Sequence, residues 1–490
     1  MRVEKVRTVK STISTKETKN HPYLVGAWQP NYDEYNAYDL ESEGEIPEDI
    51  NGVYIRNTEN QIHEPIGRYH PFDGDGMIHA IIFNNGTADY KNRFIETEGF
   101  KIEQQVNKSL WAGLMEPSGS SILPGWGAQG GMKDSSSTDV TVHAGKILST
   151  FYQCGECYSL DPISLDQLGK EKWVPVDGMS SHPKVDPRTG ELLFFNYSKT
   201  PPYMNYGIVD INNHLKHYTP IPLPGPRLPH DMAFTENYTI LNDLPMFWDT
   251  EMLKTGVHAV RLHDLPSRFA VIPRYGSEKD IIWFEAKTTF VLHWNNAYEE
   301  GDEIILEGYY QDNPWPESYE GAPPGLERLM AFLDNYRLKP KLYRWRFNLK
   351  THQTKEETID DMVIEFGAIN QNFAGIKHRF AYSAIPTKGM FTFDGITKHD
   401  NQNGNCKKYL FGKDIYGSEV AFAPKINSKS EDDGYLVTIT SNLSANKSDC
   451  LIFDAKDIQY GPMCKLKLPH RISSGTHATW ASIDQIKNIN

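Results

Sequence analysis

The chain has 490 residues, of which 39% are hydrophobic and 12% aromatic, so it can bury a large core without disulfides. Its 50 basic and 64 acidic residues give a net charge of −14, which argues against a nucleic-acid partner because phosphate binding needs a basic face. Five cysteines are few and odd in number, which indicates a reducing compartment, and no run of 18 apolar residues predicts a transmembrane helix. We therefore expect a cytoplasmic protein.

Residues 1–24 are polar and lack the apolar stretch of a secretory signal, so we expect a polar N-terminal tail. From residue 25 onwards, short runs of alternating apolar residues are separated by Gly, Asn, Asp or Pro turns, which predicts many antiparallel strands and one all-β domain over 25–490. A closed ring of blades would remove the exposed edges of so many strands. The runs, in chain order, are GMIHAIIF (76–83), GKILSTFY (145–152), GELLFFNYS (190–198), YTILND (238–243), DEIILEGYYQ (302–311), GYLVTIT (434–440) and CLIFDA (450–455).

A few segments do not follow the strand pattern. Residues 33–42 and 325–338 have helical periodicity, and the second segment is the stronger candidate. Its apolar face consists of Leu326, Leu329, Met330 and Leu333. The Gly/Ser-rich segment 116–137 predicts a flexible insertion near an entrance, and we expect 116–137 and 321–340 to cap one face of the domain.

The sequence has no Walker motif, no H-E-x-x-H and no G-x-S-x-G elbow. Cys154 and Cys157 have C-x-x-C spacing but no second pair, which favours buried structural cysteines. Four histidines, 48, 63 and 184 residues apart, mostly adjoin predicted strand ends: His182, His230, His293 and His477. They could converge on one metal, such as Zn, Cu, Fe or Ni, if each came from a different blade. Ordinary loop histidines are the alternative, because 17 histidines are available and spacing alone does not decide.

A set of motifs resolves this choice. In chain order these motifs are HPFDGDGMIHAIIF (70–83), HPKVDP (182–187), PHDMAFTENY (229–238), FVLHWNNAYEEG (290–301), GSEVAFAPK (417–425), EDDGYL and SDCLIFDAKDI (within 431–458) and GTHATW (475–480). Through this set, the sequence resembles the carotenoid cleavage oxygenase family from about residue 25 to its end. The resemblance implies a seven-bladed β-propeller with a few short helices and long loops over one face. It also implies Fe(II) on the propeller axis, bound by His182, His230, His293 and His477.

In this family glutamates orient three of the histidine ligands. The resemblance assigns two of these roles to Glu365 and Glu419, but the third position holds Gln153. A neutral amide there leaves Fe(II), four neutral imidazoles and two carboxylates with a net charge of zero instead of −1. We therefore predict weaker iron retention, a higher redox potential, or both, relative to a Gln153→Glu variant.

The resemblance also implies O₂ and an apolar polyene as the reaction partners. The expected reaction breaks one C=C bond into two carbonyls, with no catalytic acid or base beyond the metal centre. The substrate would lie along an apolar tunnel whose expected lining is Phe72, Thr138, Leu228, Leu292 and Phe366. The overall pattern is most similar to microbial apocarotenoid oxygenases that cut the central 15,15′ bond to give retinal.

Alternatives remain open at this point. A stilbenoid-cleaving dioxygenase of this family would carry a Lys and a Tyr where Tyr152 and Leu114 stand, which favours the polyene. A non-catalytic propeller that serves as a binding or scaffold protein is the second alternative. Ile122, Leu123 and Trp126 suggest a weak peripheral membrane contact as a further hypothesis. The sequence does not indicate the oligomeric state.

Overall fold

A computed structural model describes residues 1–124, 131–255 and 259–487. Most of the described residues with regular structure lie in short antiparallel strands. In chain order the strands are β1 Arg2–Thr8, β2 Asp33–Tyr38, β3 Ser42–Glu43, β4 Gly52–Asn60, β5 Asp75–Asn84, β6 Thr87–Phe94, β7 Asp139–His143, β8 Lys146–Thr150, β9 Tyr158–Leu160, β10 Gln167–Lys170, β11 Lys184–Val185, β12 Leu192–Tyr197, β13 Met204–Val209, β14 Leu215–Pro220, β15 Ala233–Phe234, β16 Tyr238–Asp243, β17 Met246–Trp248, β18 Val260–Leu262, β19 Ser267–Pro273, β20 Ile282–Ala286, β21 Trp294–Glu300, β22 Glu303–Gln311, β23 Pro340–Asn348, β24 Thr354–Thr358, β25 Glu365–Ala368, β26 Phe380–Pro386, β27 Phe393–Asp400, β28 Asn405–Leu410, β29 Ile415–Tyr416, β30 Ala421–Pro424, β31 Gly434–Asn442, β32 Lys447–Asp454, β33 Cys464–Lys467 and β34 Ala478–Ser482.

The described helices are few and short. The α-helices are α1 Lys16–Lys19, α2 Glu98–Val106, α3 Thr250–Lys254, α4 Glu327–Leu333, α5 Asn335–Leu338 and α6 Ile483–Ile486, and the single-turn 3₁₀ helices are Gly26–Trp28, Pro71–Asp73, Ser118–Ser120, Glu278–Asp280, Gln371–Phe373 and Ile458–Tyr460. Within the three described ranges, no helix combines the length and the apolar character needed to cross a bilayer.

The strands form the seven blades of a propeller, which confirms the predicted fold class. From the axis outwards, blade 1 is β34-β4-β5-β6-β2-β1, blade 2 is β7 to β10, blade 3 is β11 to β14, blade 4 is β15-β16-β19-β20, blade 5 is β21 to β24 and blade 6 is β25 to β28. In blade 7, β30 and β29 both pair with β31, and β32, β33 and β3 follow. Strands β17 and β18 form a separate hairpin.

The ring is closed by pairing the two ends of the chain. The C-terminal strand β34 pairs with β4 in blade 1, with Trp480 opposite Tyr54. Strand β34 also lies beside β30 of blade 7 and β7 of blade 2, so the innermost strands run side by side around the axis. Apolar side chains fill the wedge between blades, as where Tyr54 of blade 1 packs with Val437 of blade 7.

Two local predictions differ from the structure. Residues 33–38 form strand β2 rather than a helix, because they pair with both β1 and β6 and this pairing overrides a weak helical periodicity. The polar segment 1–24 is not a free tail throughout, since β1 extends blade 1 as an exposed edge strand. The stronger helical segment is confirmed as α4, whose Leu329 and Leu333 are buried.

The segment 116–137 is only partly what its composition suggests. Residues 125–130, with Trp126, lie outside the described residues. Ile122 and Leu123 are exposed, and the membrane contact stays a prediction. Ser135 to Ser137, however, are buried, and the backbone carbonyl of Ser136 accepts a hydrogen bond from the Asn57 side chain. This end of the segment is therefore packed, because small side chains let the chain pass close to the inner strands.

Candidate metal centre

Each of the four candidate histidines stands just ahead of an innermost strand. His182 lies two residues before β11 and His230 three residues before β15, while His293 and His477 directly precede β21 and β34. In blades 3, 4, 5 and 1, a histidine therefore lies near the axis, just before the innermost strand. This arrangement explains how residues so distant in sequence converge.

The four imidazoles face one another at the axis. Adjacent ring centroids lie between 4.4 Å (His182 and His477) and 5.2 Å (His230 and His293) apart. The Nε2 atoms of His182 and His230 are 3.2 Å apart, and one nitrogen from each of the four rings lies within 4.8 Å of the others. These distances leave a central position that one metal ion could share with all four rings.

Carboxylate oxygens lie close to the Nδ1 atoms of three of the rings. Glu365 Oε2 lies 2.7 Å from His293 Nδ1, and Glu419 Oε2 lies 3.2 Å from His477 Nδ1. Asp139 Oδ2 lies 3.2 Å from His182 Nδ1. An acceptor at Nδ1 keeps the proton on that nitrogen and leaves Nε2 free for a metal.

His230 differs from the other three histidines. Its ring forms no hydrogen bond or ion pair with a carboxylate among the described residues. Gln153 is buried, its side chain contacts the Tyr152 hydroxyl, and its Oε1 has no hydrogen-bond partner. The role of Gln153 beside a histidine ligand stays a prediction.

The backbone is strained at this centre. His182 has φ of +62° and Phe366 has φ of +55°, a region that residues with a Cβ seldom adopt. The N–H of His182 donates to Asp139 Oδ2 at 3.0 Å, and the N–H of Phe366 donates to Glu365 Oε2 at 2.5 Å. The same carboxylates therefore hold both the candidate ligands and the strained backbone.

Burial sets the charge of the rings. It lowers the pKa of His182, His230 and His293 well below the usual value, and the neighbouring imidazoles lower these pKa values further. For His477 burial is again the largest effect and lowers the pKa, but the carboxylates of Glu419, Asp139 and Asp231 together raise the pKa above its usual value. Burial also raises the pKa of Glu365 to about 8. Neutral imidazoles are the form that binds metal.

The donor set fits a divalent transition metal. His293 Nε2 is buried and has no hydrogen-bond partner, so its lone pair faces the centre uncompensated. A buried polar atom without a partner is costly and rare, and a metal ion would satisfy it. Four imidazoles suit Fe, Cu, Ni or Zn, whereas Ca²⁺ and Mg²⁺ prefer oxygen ligands.

A continuous set of aromatic rings spans this centre, and we call Phe366, Phe391, Phe72 and Tyr152 the aromatic arch. Phe366 contacts His293 and His477, with ring centroids 4.5 and 5.0 Å apart. The next ring centroids along the arch are 5.8 Å apart for Phe366 and Phe391, 5.7 Å for Phe391 and Phe72, and 6.2 Å for Phe72 and Tyr152. The last ring, Tyr152, lies 5.9 Å from His230. The arch therefore starts and ends on candidate metal ligands.

The five predicted lining residues are distributed over different places. Phe72 and Phe366 belong to the arch and to an apolar cluster that includes Leu329 of α4. Thr138 links the arch to the axis, because its Oγ1 accepts from the Tyr152 N–H (3.3 Å) and its carbonyl accepts from Thr476 Oγ1 (2.6 Å). Leu228 and Leu292 pack at the edge of the core of blades 4 and 5.

Three residues of this centre were missed by sequence reasoning. Asp139 directly follows Thr138, and its position at the start of an apolar strand was the available signal. Phe391 lies in the sequence MFTF with no motif of its own. Tyr152 was considered only as the substitute for a lysine.

Cys154 and Cys157 are buried free thiols outside the four-histidine cluster.

Comparison with known proteins agrees with this architecture. The sequence profile of the RPE65 family, described as retinal pigment epithelial membrane protein, matches residues 28–482. The chain is 30% identical to carotenoid 9,10(9′,10′)-cleavage dioxygenase 1 of Phaseolus vulgaris, over 95% of this chain and 90% of the relative. It is 31% identical to isoeugenol monooxygenase of Pseudomonas nitroreducens, over 94% of this chain and 98% of the relative.

Solved structures share the fold. The lignostilbene dioxygenase of Pseudomonas brassicacearum superposes with a TM-score of 0.82 at 23% identity, covering 94% of this chain and 99% of that one. A single-residue variant of the Synechocystis apocarotenoid oxygenase also reaches 0.82, at 24% identity, covering 93% of this chain and 98% of that one.

Proposed function

Because the chain belongs to the RPE65 family of carotenoid cleavage oxygenases, we propose that it is a non-haem Fe(II) oxygenase that cleaves a C=C bond of an apolar conjugated alkene. The overall reaction, one alkene and one O₂ giving two carbonyl compounds, balances without an added reductant. The aromatic arch over four converging histidines is the observation that carries this proposal.

His182, His230, His293 and His477 would hold the iron. When bound, Fe(II) supplies the activation of O₂ that an alkene alone lacks. As metal ligands the four rings would be neutral and add no charge to the centre. Glu365 and Glu419 accept hydrogen bonds from Nδ1 of His293 and His477 and so fix their tautomers, and Asp139 Oδ2 lies 3.2 Å from His182 Nδ1. Rigid ligand geometry on inner strands keeps the reacting position constant relative to the arch.

The arch supplies positioning and exclusion of water. Phe72 and Phe391 pack edge to face with ring centroids 5.7 Å apart, and Phe366 packs on two of the candidate ligands. Flat conjugated molecules bind such surfaces through stacking and edge contacts. The proposed role of the chain is therefore to place one double bond beside the metal, without a protein acid or base.

We propose an apocarotenoid as the substrate, cleaved at the central 15,15′ bond to give retinal. The apolar arch supports a hydrocarbon polyene, and among the relatives are carotenoid cleavage dioxygenases. A phenolic aryl alkene is the second candidate, because the Tyr152 hydroxyl and the unpartnered Gln153 Oε1 are polar atoms beside the arch. The relatives include isoeugenol monooxygenase, which favours the same alternative.

A substrate panel separates the two candidates. Iron-loaded protein is incubated in air with β-apo-8′-carotenal, isoeugenol or resveratrol, and the products are read by chromatography. We expect retinal from the first and no cleavage of the others, with most of the polyene activity kept in Tyr152→Phe. Aromatic aldehydes from isoeugenol or resveratrol alone, lost in Tyr152→Phe, would establish the aryl-alkene function instead.

A non-catalytic propeller predicts a different result in the same experiment. It would yield no product from any alkene even with one iron bound per chain.

A further inference from the structure

Asp139 occupies a position at the axis that no motif marks. It is the first residue of β7, the innermost strand of blade 2, and its side chain is largely buried. Its Oδ2 lies 3.2 Å from His182 Nδ1 and accepts from the His182 N–H at 3.0 Å. Its Oδ1 accepts from the Val140 N–H at 2.7 Å, so the carboxylate orientation is fixed at both oxygens.

The contact matches those of the two glutamates in distance, and it includes a backbone hydrogen bond. Each of the three carboxylates places one oxygen 2.7–3.2 Å from an imidazole Nδ1; Glu365 and Glu419 do so with hydrogen-bond geometry, whereas the Asp139 hydrogen bond is to the His182 backbone N–H. Glu365 Oε2 takes His293 Nδ1 and the Phe366 N–H, and Glu419 Oε2 takes His477 Nδ1 and the Ala478 N–H at 2.6 Å. Each carboxylate also belongs to the blade next to the ring that it holds.

We propose that Asp139 is a positioning residue of the metal centre and supplies its third carboxylate, in place of the glutamate that the family resemblance assigns to position 153. This inference rests on the proposed iron-dependent function. Asp139 would keep the Nδ1 proton of His182 in place, direct Nε2 to the metal and hold the left-handed backbone of His182.

The charge of the centre changes accordingly. With all three carboxylates ionised around the bound cation, Fe(II), four neutral imidazoles, Glu365, Glu419 and Asp139 would sum to −1, whereas Glu365 and Glu419 alone would give zero. The third carboxylate would then act on the ring of His182. The prediction that Gln153 weakens iron binding is therefore replaced: the natural chain should bind Fe(II) as a complete three-carboxylate centre, and Gln153→Glu should add little.

The test compares wild type, Asp139→Asn, Gln153→Glu and the double variant. Apo-protein is titrated with Fe(II) without oxygen against a colorimetric chelator, and the Fe(III)/Fe(II) midpoint potential is measured. Asn keeps the size of Asp139 and an acceptor for the His182 N–H but removes the charge. We expect roughly 10- to 100-fold weaker Fe(II) binding and a more positive potential in Asp139→Asn. In the double variant, Gln153→Glu should restore most of the Fe(II) affinity and most of the midpoint potential that Asp139→Asn changes.

Two controls separate positioning from folding. Asp166→Asn removes an exposed carboxylate from the turn between β9 and β10 of the same blade, and it should leave both iron readouts unchanged. Thermal unfolding of the apo-proteins shows whether Asp139→Asn is folded. If Asp139→Asn is not folded, the Fe(II) affinity of Gln153→Glu alone tests the inference. A centre that already has three carboxylates should gain little Fe(II) affinity from the added glutamate, whereas a centre that lacks one should bind Fe(II) more tightly.

Several results would overturn the inference. They are an unchanged affinity and potential in folded Asp139→Asn, no recovery in the double variant, or strongly tightened iron binding in Gln153→Glu alone. All readouts need only iron, so they do not depend on the substrate. A wild-type chain that binds no iron would refute the proposed function and this inference together.

Discussion

At the scale of single residues, two of the left-handed backbone positions of this chain lie where the chemistry is proposed. His182 and Phe366 hold positive φ values that cost on the order of 1–3 kcal/mol each in a residue with a side chain. In both residues a carboxylate oxygen accepts the strained residue's N–H. The surrounding carboxylates therefore maintain a backbone geometry that the local sequence alone disfavours, and this geometry aims His182 and the Phe366 ring at the axis.

Glu365→Gln tests the role of such a carboxylate at a second ring. The amide keeps one oxygen for the Phe366 N–H or for His293 Nδ1 but cannot become the carboxylate that would hold the imidazole proton beside a bound cation. We expect roughly 10- to 100-fold weaker Fe(II) retention, measured as iron content after dialysis against a chelator. Glu285→Gln, an exposed glutamate of β20, is the matched control. Equal iron retention in both variants would remove Glu365 from the centre.

At the scale of elements, the segment between β33 and β34 carries the chain back to the axis. Within it, His470 is packed against Tyr35, with ring centroids 4.9 Å apart. Its Nδ1 donates to the Arg471 carbonyl at 2.8 Å, and its Nε2 lies 3.0 Å from the Tyr90 hydroxyl. Both nitrogens of the neutral His470 ring therefore have hydrogen-bond partners. The contact with Tyr90 connects the segment to β6 of blade 1.

The protonation of His470 predicts a loss of stability in acid. Burial lowers its pKa to about 4, while the unfolded ring titrates near 6.5. Between these values the unfolded chain binds the extra proton, so the stabilising contribution is present above pH 6.5 and is lost as the pH falls towards 4. From pH 7 to 5 the free energy of unfolding should drop by about 2 kcal/mol through this residue.

Urea unfolding of wild type and His470→Gln at the two pH values measures this contribution. Other buried histidines add to the wild-type drop, so only the difference between the two proteins is informative. The variant should lose less stability on acidification than wild type. An equal loss in both proteins would mean that His470 is not held neutral by the fold.

At the scale of the whole molecule, the propeller depends on its closure. Trp480 of β34 is 7% exposed and packs with residues of blades 1 and 7. Trp480→Ala should lower the free energy of unfolding by about 3–5 kcal/mol, because it opens a cavity where the ring is sealed. Tyr460→Ala, at a residue that is 83% exposed, is the control and should change it by less than about 0.5 kcal/mol. Equal effects in denaturant unfolding would contradict a closed ring.

Much of this architecture follows from sequence pattern. Short apolar runs between turn residues predict the strands. Continuous runs such as LLFFNY (192–197) are buried along their whole length because neighbouring blades cover both faces. The helix α4 has a clear apolar stripe. The order of the blades and the four converging histidines needed the family resemblance, since spacing alone could not select four histidines out of 17.

The remaining errors have physical causes. Residues 33–38 become a strand through pairing with distant segments, which local periodicity does not contain. Ser135 to Ser137 are buried because they are small, although their composition is typical of a loop. Asp139 was missed because its partner lies in the next blade, 43 residues along the chain.

The most direct test of the account is the iron content of the chain, purified without oxygen from iron-supplemented cells. The account predicts close to one iron per chain in wild type and almost none in His293→Ala, whose apo form should still show the circular dichroism of a folded propeller. Wild type free of iron, or iron retained by His293→Ala, would contradict the four-histidine centre on which the proposed oxygenase function depends.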